Sequence, residues 1–361
     1  MKKSRKYAAA LLITSIIITG SAFSTLLTTA SEYTSEEILL PAEKENVIIS
    51  SDIVSNKMTE AQLALETFIK ENDLSSLAIP ETLPEKTMEA LEKLCDERLY
   101  EISFYYYDIE TGFTMSYNED RVFKSASCIK MPYMCYILHL IDEGDMSLDD
   151  KIALTAADLR QGTSTIRDEG FAVGTEFTIK QLIEYLMIGS DNTAFAMFCR
   201  VQSVWKFASW ANSNYGTKFN VAINREKVGQ NSMTAKSTAR MLRLIYEKAQ
   251  DGEENYLWLI ELLKQANKNT FVKYGIADTS YGIWDSDYRL DVEVAHKYGM
   301  DVHASNDAAL VLYEDRPYIL VILTDWIGYP SDNLWWTEGD MRTVSYYIFQ
   351  LHKYIIKSGQ S

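Results

Sequence analysis

Runs of β-forming residues stand at both ends of one stretch of this chain, and helical periodicity fills the space between them. Ile102-Ser103-Phe104-Tyr105-Tyr106-Tyr107 is dense in aromatic and branched residues. Glu110-Thr111-Gly112 supplies a turn, and Phe113 to Tyr117 returns, so the pair predicts a hairpin. Three more strand-like runs lie far downstream, at Val292 to Met300, Ala308 to Tyr313 and Tyr318 to Thr324, with Glu314-Asp315-Arg316-Pro317 turning between the last two. The stretches 127–142, 178–188, 191–211 and 234–249 carry apolar residues at helical spacing. Helices are also predicted at Thr87 to Arg98 and Met341 to Ile356. Strands at the two ends with helices between them predict an α+β domain. An antiparallel sheet is built from both ends, flanked by helices, with an inserted helical lobe at about 127–250. A cleft between lobe and sheet is the natural place for a site.

The flanking segments differ in kind. Met1 to Lys6 holds four basic residues, and Tyr7 to Ala30 carries no charge, ending in small residues at Thr28-Thr29-Ala30. Residues 1–30 therefore read as an export signal or, if uncleaved, an N-terminal membrane anchor; either places the body outside the cytoplasm. Residues 31–85 are acidic and polar, with one amphipathic stretch from Met58 to Lys70, and read as a spacer before a domain at 86–361. The formal charge of −16 argues against nucleic acid as a partner. Cys95, Cys128, Cys135 and Cys199 have no zinc-site spacing and are expected to be buried, reduced thiols. Neither a metal nor another cofactor is called for, and the domain is expected to act as a monomer.

Three clusters carry the chemistry. In Ser127-Cys128-Ile129-Lys130 a hydroxyl and an amine stand one helical turn apart on one face. Burial would lower the amine's pKa and let it act as a base. Pro132 would leave the Cys128 carbonyl unpaired inside a helix and distort the backbone beside Ser127. Ser190-Asp191-Asn192 falls between two helical runs, where Ser190 could relay a proton, Asn192 could offer its amide and Asp191 could hold the turn. Lys297-Tyr298-Gly299 lies in a strand-like run, where Lys297 could present charge to the cleft and Gly299 could let a substrate approach the strand edge. Each cluster alone also reads plainly, as a surface pair on a helix, a helix N-cap and a strand lysine. Their conjunction describes a serine acyl-enzyme site in which lysine replaces histidine as the base. A Ser-His-Asp arrangement is disfavoured, because no Gly-x-Ser-x-Gly elbow surrounds a serine.

With their surroundings these clusters resemble the penicillin-recognising serine hydrolases, most closely the class A β-lactamase branch. The likeness runs from about Thr87 to Ile356. It includes Tyr107-Asp108-Ile109-Glu110-Thr111-Gly112, Ser125-Ala126-Ser127-Cys128-Ile129-Lys130, Gly144 to Asp150, and Met187 to Ala194. The resemblance implies a β-lactamase/transpeptidase-like fold and roles by position. Ser127 is the acylated nucleophile, Lys130 its base partner and Ser190 the relay to the leaving nitrogen. Asn192, Lys297, Tyr298 and Gly299 contact substrate, and the N–H groups of Ser127 and Met300 form an oxyanion hole. The substrate it implies is a small-molecule β-lactam or a cell-wall peptide.

Three departures bear on that reading. Tyr298 stands where the family's third motif has Ser or Thr. Ala304-Ser305-Asn306-Asp307 stands where many relatives place an Arg. The deacylating glutamate is matched by Glu226, the only acid of the loop 220–234, without the usual Leu-Asn after it. β-Lactam hydrolysis thus leads; a D,D-peptidase, cell-wall transacylase or slow-deacylating penicillin-binding protein is the alternative, and a non-catalytic binding or sensor domain is a third reading.

Overall fold

The two predicted halves of the sheet meet in one layer. The computed structural model describes residues 91, 93–94, 101–216, 219, 231–266, 271–277, 292–301, 304–325 and 334–359, all within the unit Ile49–Ser361. In chain order the elements begin with β1 (Ile102–Asp108), β2 (Thr114–Tyr117) and β3 (Phe123–Lys124), followed by a 3-10 turn at Ala126–Ile129. Then come α1 (Lys130–Asp142), β4 (Lys151–Ala153), α2 (Thr165–Asp168), β5 (Glu176–Thr178), α3 (Ile179–Ile188), α4 (Asn192–Val201) and α5 (Val204–Tyr215). The chain continues through β6 (Ser232–Met233), α6 (Ala235–Gln250), α7 (Glu254–Lys264), α8 (Phe271–Ile276), β7 (Glu293–Asp301), β8 (Ala304–Leu312), β9 (Tyr318–Thr324) and α9 (Leu334–Gly359).

Five strands form an antiparallel sheet in the order β2-β1-β9-β8-β7. The N-terminal hairpin joins the C-terminal strands through β1 and β9, with Phe104 opposite Ile322 and Asp108 opposite Tyr318. All seven residues of β9 are buried, because helices cover both faces of the sheet. Ile319, Val321 and Leu323 enter a core shared with α1, α3, α4 and α6. Tyr318, Leu320 and Ile322 enter a second core with Leu91, Leu94, α8 and α9. β7 is an edge strand, and its alternation sends Ala295 into the first core and Val294 into the second. Among the described residues, no helix is long and apolar enough to cross a membrane.

The structure departs from the sequence expectations in four places. The stretch 191–211 is two helices, because Gln202 is extended and Ser203 caps α5 by accepting from the Lys206 N–H. β8 begins at Ala304 rather than Ala308, and its polar start is buried. α7 was not anticipated, although Tyr256, Leu259, Ile260 and Leu263 have helical spacing and are buried. β3 to β6 are pairs of two or three residues, too short to show a period. Only Leu91, Lys93 and Leu94 of the predicted first helix are described, and they are helical.

Candidate active site

Ser127 sits in the 3-10 turn that delivers the chain from β3 into α1, and it is half-buried. The turn owes its shape to its neighbours. Ala126 is held at φ +45°, a region costly for a residue with a Cβ. Pro132 falls in the first turn of α1, where a missing N–H is tolerated, so the α-helix starts only at Lys130 and the preceding turn tightens to 3-10 geometry. The expected unpaired Cys128 carbonyl is not found, because that carbonyl accepts from the Lys130 N–H. Residues three apart eclipse in a 3-10 turn, which keeps Ser127 and Lys130 on one side.

Four contacts fasten this turn to the sheet and its surroundings. The Cys128 thiol donates to the Lys297 carbonyl at 3.0 Å. The Ser125 N–H donates to the Asn231 carbonyl at 2.9 Å, and Asn306 Nδ2 donates to the Lys124 carbonyl at 2.7 Å. At Gly299 the backbone of β7 lies against the turn itself. A Cβ there would stand 2.6 Å from the Cys128 nitrogen, 2.6 Å from the Ser125 oxygen and 2.7 Å from the Ser127 nitrogen. Gly299 is therefore required for strand and turn to touch.

Lys130 is fully buried, and its Nζ gathers the second cluster. It donates to the Ser190 carbonyl at 2.5 Å, to Ser190 Oγ at 3.2 Å and to Asn192 Oδ1 at 2.6 Å. Ser127 Oγ is not among these partners, so the direct hydroxyl–amine contact expected from the spacing is replaced by a contact to Ser190. Asn192 is fixed in orientation, because its Nδ2 donates to the Gln161 carbonyl at 3.1 Å. Asp191 shapes the cluster by capping α4. One of its oxygens accepts from the Thr193 and Ala194 N–H groups at 2.7 and 2.9 Å and from Ser164 Oγ at 3.1 Å; the other accepts from the Ile166 N–H at 2.9 Å. The resulting turn holds Ser190 at φ +55°, with its carbonyl and hydroxyl both on Lys130.

Electrostatics follow from this burial. Desolvation, reinforced by the charge of Lys297, holds the Lys130 ammonium well below the usual lysine range, against the attraction of Asp191. Lys297 is itself fully buried on β7, and burial lowers it to about 8, partly offset by Cys128 and Asp307. Its Nζ donates to the Tyr298 carbonyl at 3.0 Å and lies 4.7 Å from the Tyr298 ring centroid. A cation–π contact of this kind is worth about 2 kcal/mol when desolvated. The structure thus brings Ser127, Lys130, Ser190, Asn192, Lys297, Tyr298 and Gly299 into one region where sheet edge and lobe meet. Met300 follows on the same edge strand and is 48% exposed. Glu226 lies outside the described residues.

Sequence reasoning missed the residues that brace the site. Cys128 was expected to be a buried thiol, and Cys128, Cys135 and Cys199 are free, but Cys128 also bonds the strand that carries Lys297. Cys95 lies outside the described residues. Asn306 is buried between the Lys124 carbonyl and the Thr324 N–H, which donates to Asn306 Oδ1 at 2.9 Å. Asp307 accepts from His296 Nδ1 at 2.9 Å and from the Val272 N–H at 3.2 Å. A polar run inside a strand was the available signal. Among the described residues no group of three His, Cys, Asp or Glu side chains could hold a metal ion.

The contact at Gly299 is testable. Gly299→Ala forces a methyl group onto three backbone atoms, and overpacking of this kind costs about 1–3 kcal/mol. The urea midpoint of unfolding is expected to fall accordingly; an unchanged midpoint would mean that strand and turn do not touch.

Comparison with known proteins agrees with this architecture. Residues 85–334 match the family model described as the β-lactamase enzyme family. The β-lactamase VEB-1 of Pseudomonas aeruginosa is 32% identical over 119 residues, which are 32% of this chain and 39% of the relative's own length. Among solved structures, PBP-A superposes with a TM-score of 0.62 at 18% identity, covering 73% of this chain and 96% of that one. A β-lactamase from Chitinophaga pinensis gives 0.63 at 20% identity, covering 74% and 99%. The last two likenesses establish the fold, and the family match spans most of the chain, so this protein belongs to the β-lactamase enzyme family.

Proposed function

We propose that this protein is an exported serine hydrolase that works through an acyl-enzyme on Ser127, with β-lactam hydrolysis as its reaction. The observation that carries the reading is Lys130, a fully buried amine bonded to Ser190 and Asn192 and one 3-10 turn from Ser127. The basic start and uncharged run of residues 1–30 support export, with 31–85 as a spacer and 86–361 as the catalytic domain.

In this reading the Ser127 hydroxyl attacks the substrate carbonyl and its proton passes to neutral Lys130. Among the three partners of Lys130 Nζ, the Ser190 hydroxyl can both accept and donate. It therefore carries the proton onward to the leaving nitrogen as the amide bond breaks. The N–H groups of Ser127 and Met300 receive the oxyanion, donors typically worth about 3–4 kcal/mol each. Asn192 positions the substrate, and the charge of Lys297 stabilises the negative charge that develops. Glu226 is assigned the activation of water that releases the acyl group.

A second reading, a D,D-peptidase or cell-wall transacylase, shares every step up to release. It is favoured by the absence of Leu-Asn after Glu226. Acylation is common to both readings, so the lifetime of the acyl-enzyme separates them.

Intact-protein mass spectrometry after adding benzylpenicillin reads all of this. The parent is expected to gain the penicillin mass and Ser127→Ala to gain none; labelling of that variant would refute the nucleophile assignment. Glu226→Gln is expected to prolong the acylated state by about 100-fold, the usual scale of a general base. Equal lifetimes in parent and variant would remove Glu226 from the mechanism and favour the second reading.

The acylation rate should also depend on pH in two directions. Lys130 must be neutral to take the proton, so the rate rises with pH through its depressed pKa. Lys297 must be charged to stabilise the oxyanion, so the rate falls as pH rises through about 8. A stopped-flow profile that keeps climbing well above that pH would exclude Lys297 from the charged role.

A further inference from the structure

Four successive carbonyls in the loop before α2, those of residues 160 to 163, are shared between two side chains on different elements. The Gln161 carbonyl accepts from Asn192 Nδ2 at 3.1 Å, and the Thr163 carbonyl accepts from the Asn192 N–H at 2.9 Å. The Arg160 carbonyl accepts from Arg167 Nη1 at 2.7 Å, and the Gly162 carbonyl accepts from Arg167 Nη2 at 3.0 Å. The loop is thus held by Arg167 and in turn holds Asn192. Arg167 has a fixed base: the Ile166 N–H and Ser164 Oγ tie α2 to Asp191, and Arg167 Nε donates to Asp168 Oδ1 at 2.7 Å. The fit is close, because a Cβ on Gly162, at φ +83°, would stand 3.0 Å from Asn192 Nδ2.

The orientation of the Asn192 amide decides what Lys130 can do. A neutral amine has two N–H groups and one lone pair. The Ser190 carbonyl at 2.5 Å and Asn192 Oδ1 at 2.6 Å can only accept, so they take the two hydrogens and leave the lone pair for a hydroxyl. With the amide reversed, Nδ2 would donate to that lone pair and occupy it. The Gln161 carbonyl opposes reversal, because it would then face Oδ1, acceptor against acceptor. We propose that Arg167 is a positioning residue of the acylation step. Its guanidinium holds the Arg160 and Gly162 carbonyls, so the Gln161 carbonyl between them fixes the Asn192 oxygen on Lys130 and keeps the amine open to the Ser127 proton. Two carbonyls two residues apart take separate nitrogens of one rigid plane, which suits a guanidinium and not an ammonium. The charges that act on Lys130 are those of Lys297, Asp191 and Cys199, so Arg167 works through the loop. This inference rests on the acyl-enzyme reading above and adds to it a residue outside the three clusters.

The test compares the full-length parent with Arg167→Met, by stopped-flow acylation with benzylpenicillin across pH. The variant is expected to lose about tenfold in the limiting acylation rate constant, the scale of a misplaced catalytic group. Its ascending limb, which reports Lys130, should move to lower pH, because the ammonium loses an acceptor and the neutral amine gains a donor. Loss of a cation alone would move that limb to higher pH, and simple destabilisation would not move it. A limb that stays in place or moves up, or a limiting rate equal to the parent's, overturns the inference while leaving the acyl-enzyme intact. A parent that is not acylated overturns the acyl-enzyme reading and the inference with it. Circular dichroism establishes that Arg167→Met folds. Should it not, Arg167→Lys, which keeps the charge and loses the planar fork, decides by the direction of the same limb.

Discussion

The contact between the edge strand and the turn that carries Ser127 organises the rest of the molecule. Gly299 has no side chain, and the turn backbone occupies the space where one would be. Residues more than 150 positions apart in sequence are thereby in backbone contact, and the Cys128 thiol bonds the Lys297 carbonyl beside them. The sheet can present a charge to the turn only because nothing intervenes. Moving β7 outward by the width of a methyl group would break the thiol bond and withdraw Lys297 from the region of Lys130. Close backbone approach is the reason a glycine stands at this position of the strand, and it acts on the protein's own turn before it acts on any ligand.

The same closeness buries two ammonium groups, and burial decides their state. A buried charge must be paired or lose its ionisation. Asp191 is the acid that pulls on Lys130, yet its oxygens are taken by three backbone N–H groups and a hydroxyl, and none of them meets the amine. Desolvation wins over that attraction, and Lys297 adds to it. Where the fold puts this lysine, its ammonium is held well below the range it has in water. The helix cap and the amine are thus two uses of one turn: Asp191 satisfies the start of α4, and the φ of Ser190 that results turns its oxygens toward Nζ.

Much of this was legible in the sequence, for identifiable reasons. The hairpin and β9 are dense in β-formers, and α3 and α6 have clear periodicity, so their existence and order follow from side-chain pattern alone. Ser127, Lys130, Ser190, Asn192 and Lys297 could be singled out as candidates because their motifs are local and ordered. What was hidden is what depends on contacts across the chain. Ser305, Asn306 and Asp307 fell outside the expected strand-like runs, and it is Thr324, Lys124 and His296 that satisfy them inside β8. Lys130 reaching Ser190 and not Ser127 depends on a backbone turn 60 residues away. Helix α7 was masked by the acidic residues Glu253, Glu254 and Glu261 around its apolar face.

Those polar residues of β8 show how the site is kept rigid without being part of the chemistry. Asn306 spans two elements: its amide nitrogen holds the carbonyl of Lys124, just before the Ser127 turn, and its oxygen holds the N–H of Thr324 at the end of β9. Thr324 in turn receives the Ser305 N–H and donates to the Ser305 carbonyl. An apolar residue at Asn306 would leave two buried backbone groups without partners, each costing about 1–3 kcal/mol. Two strands and the turn are therefore clamped by one amide. The amide is fixed at both ends by backbone groups of different elements, so the position of the turn and the end of β9 are set together, and the turn cannot shift without leaving a buried partner behind.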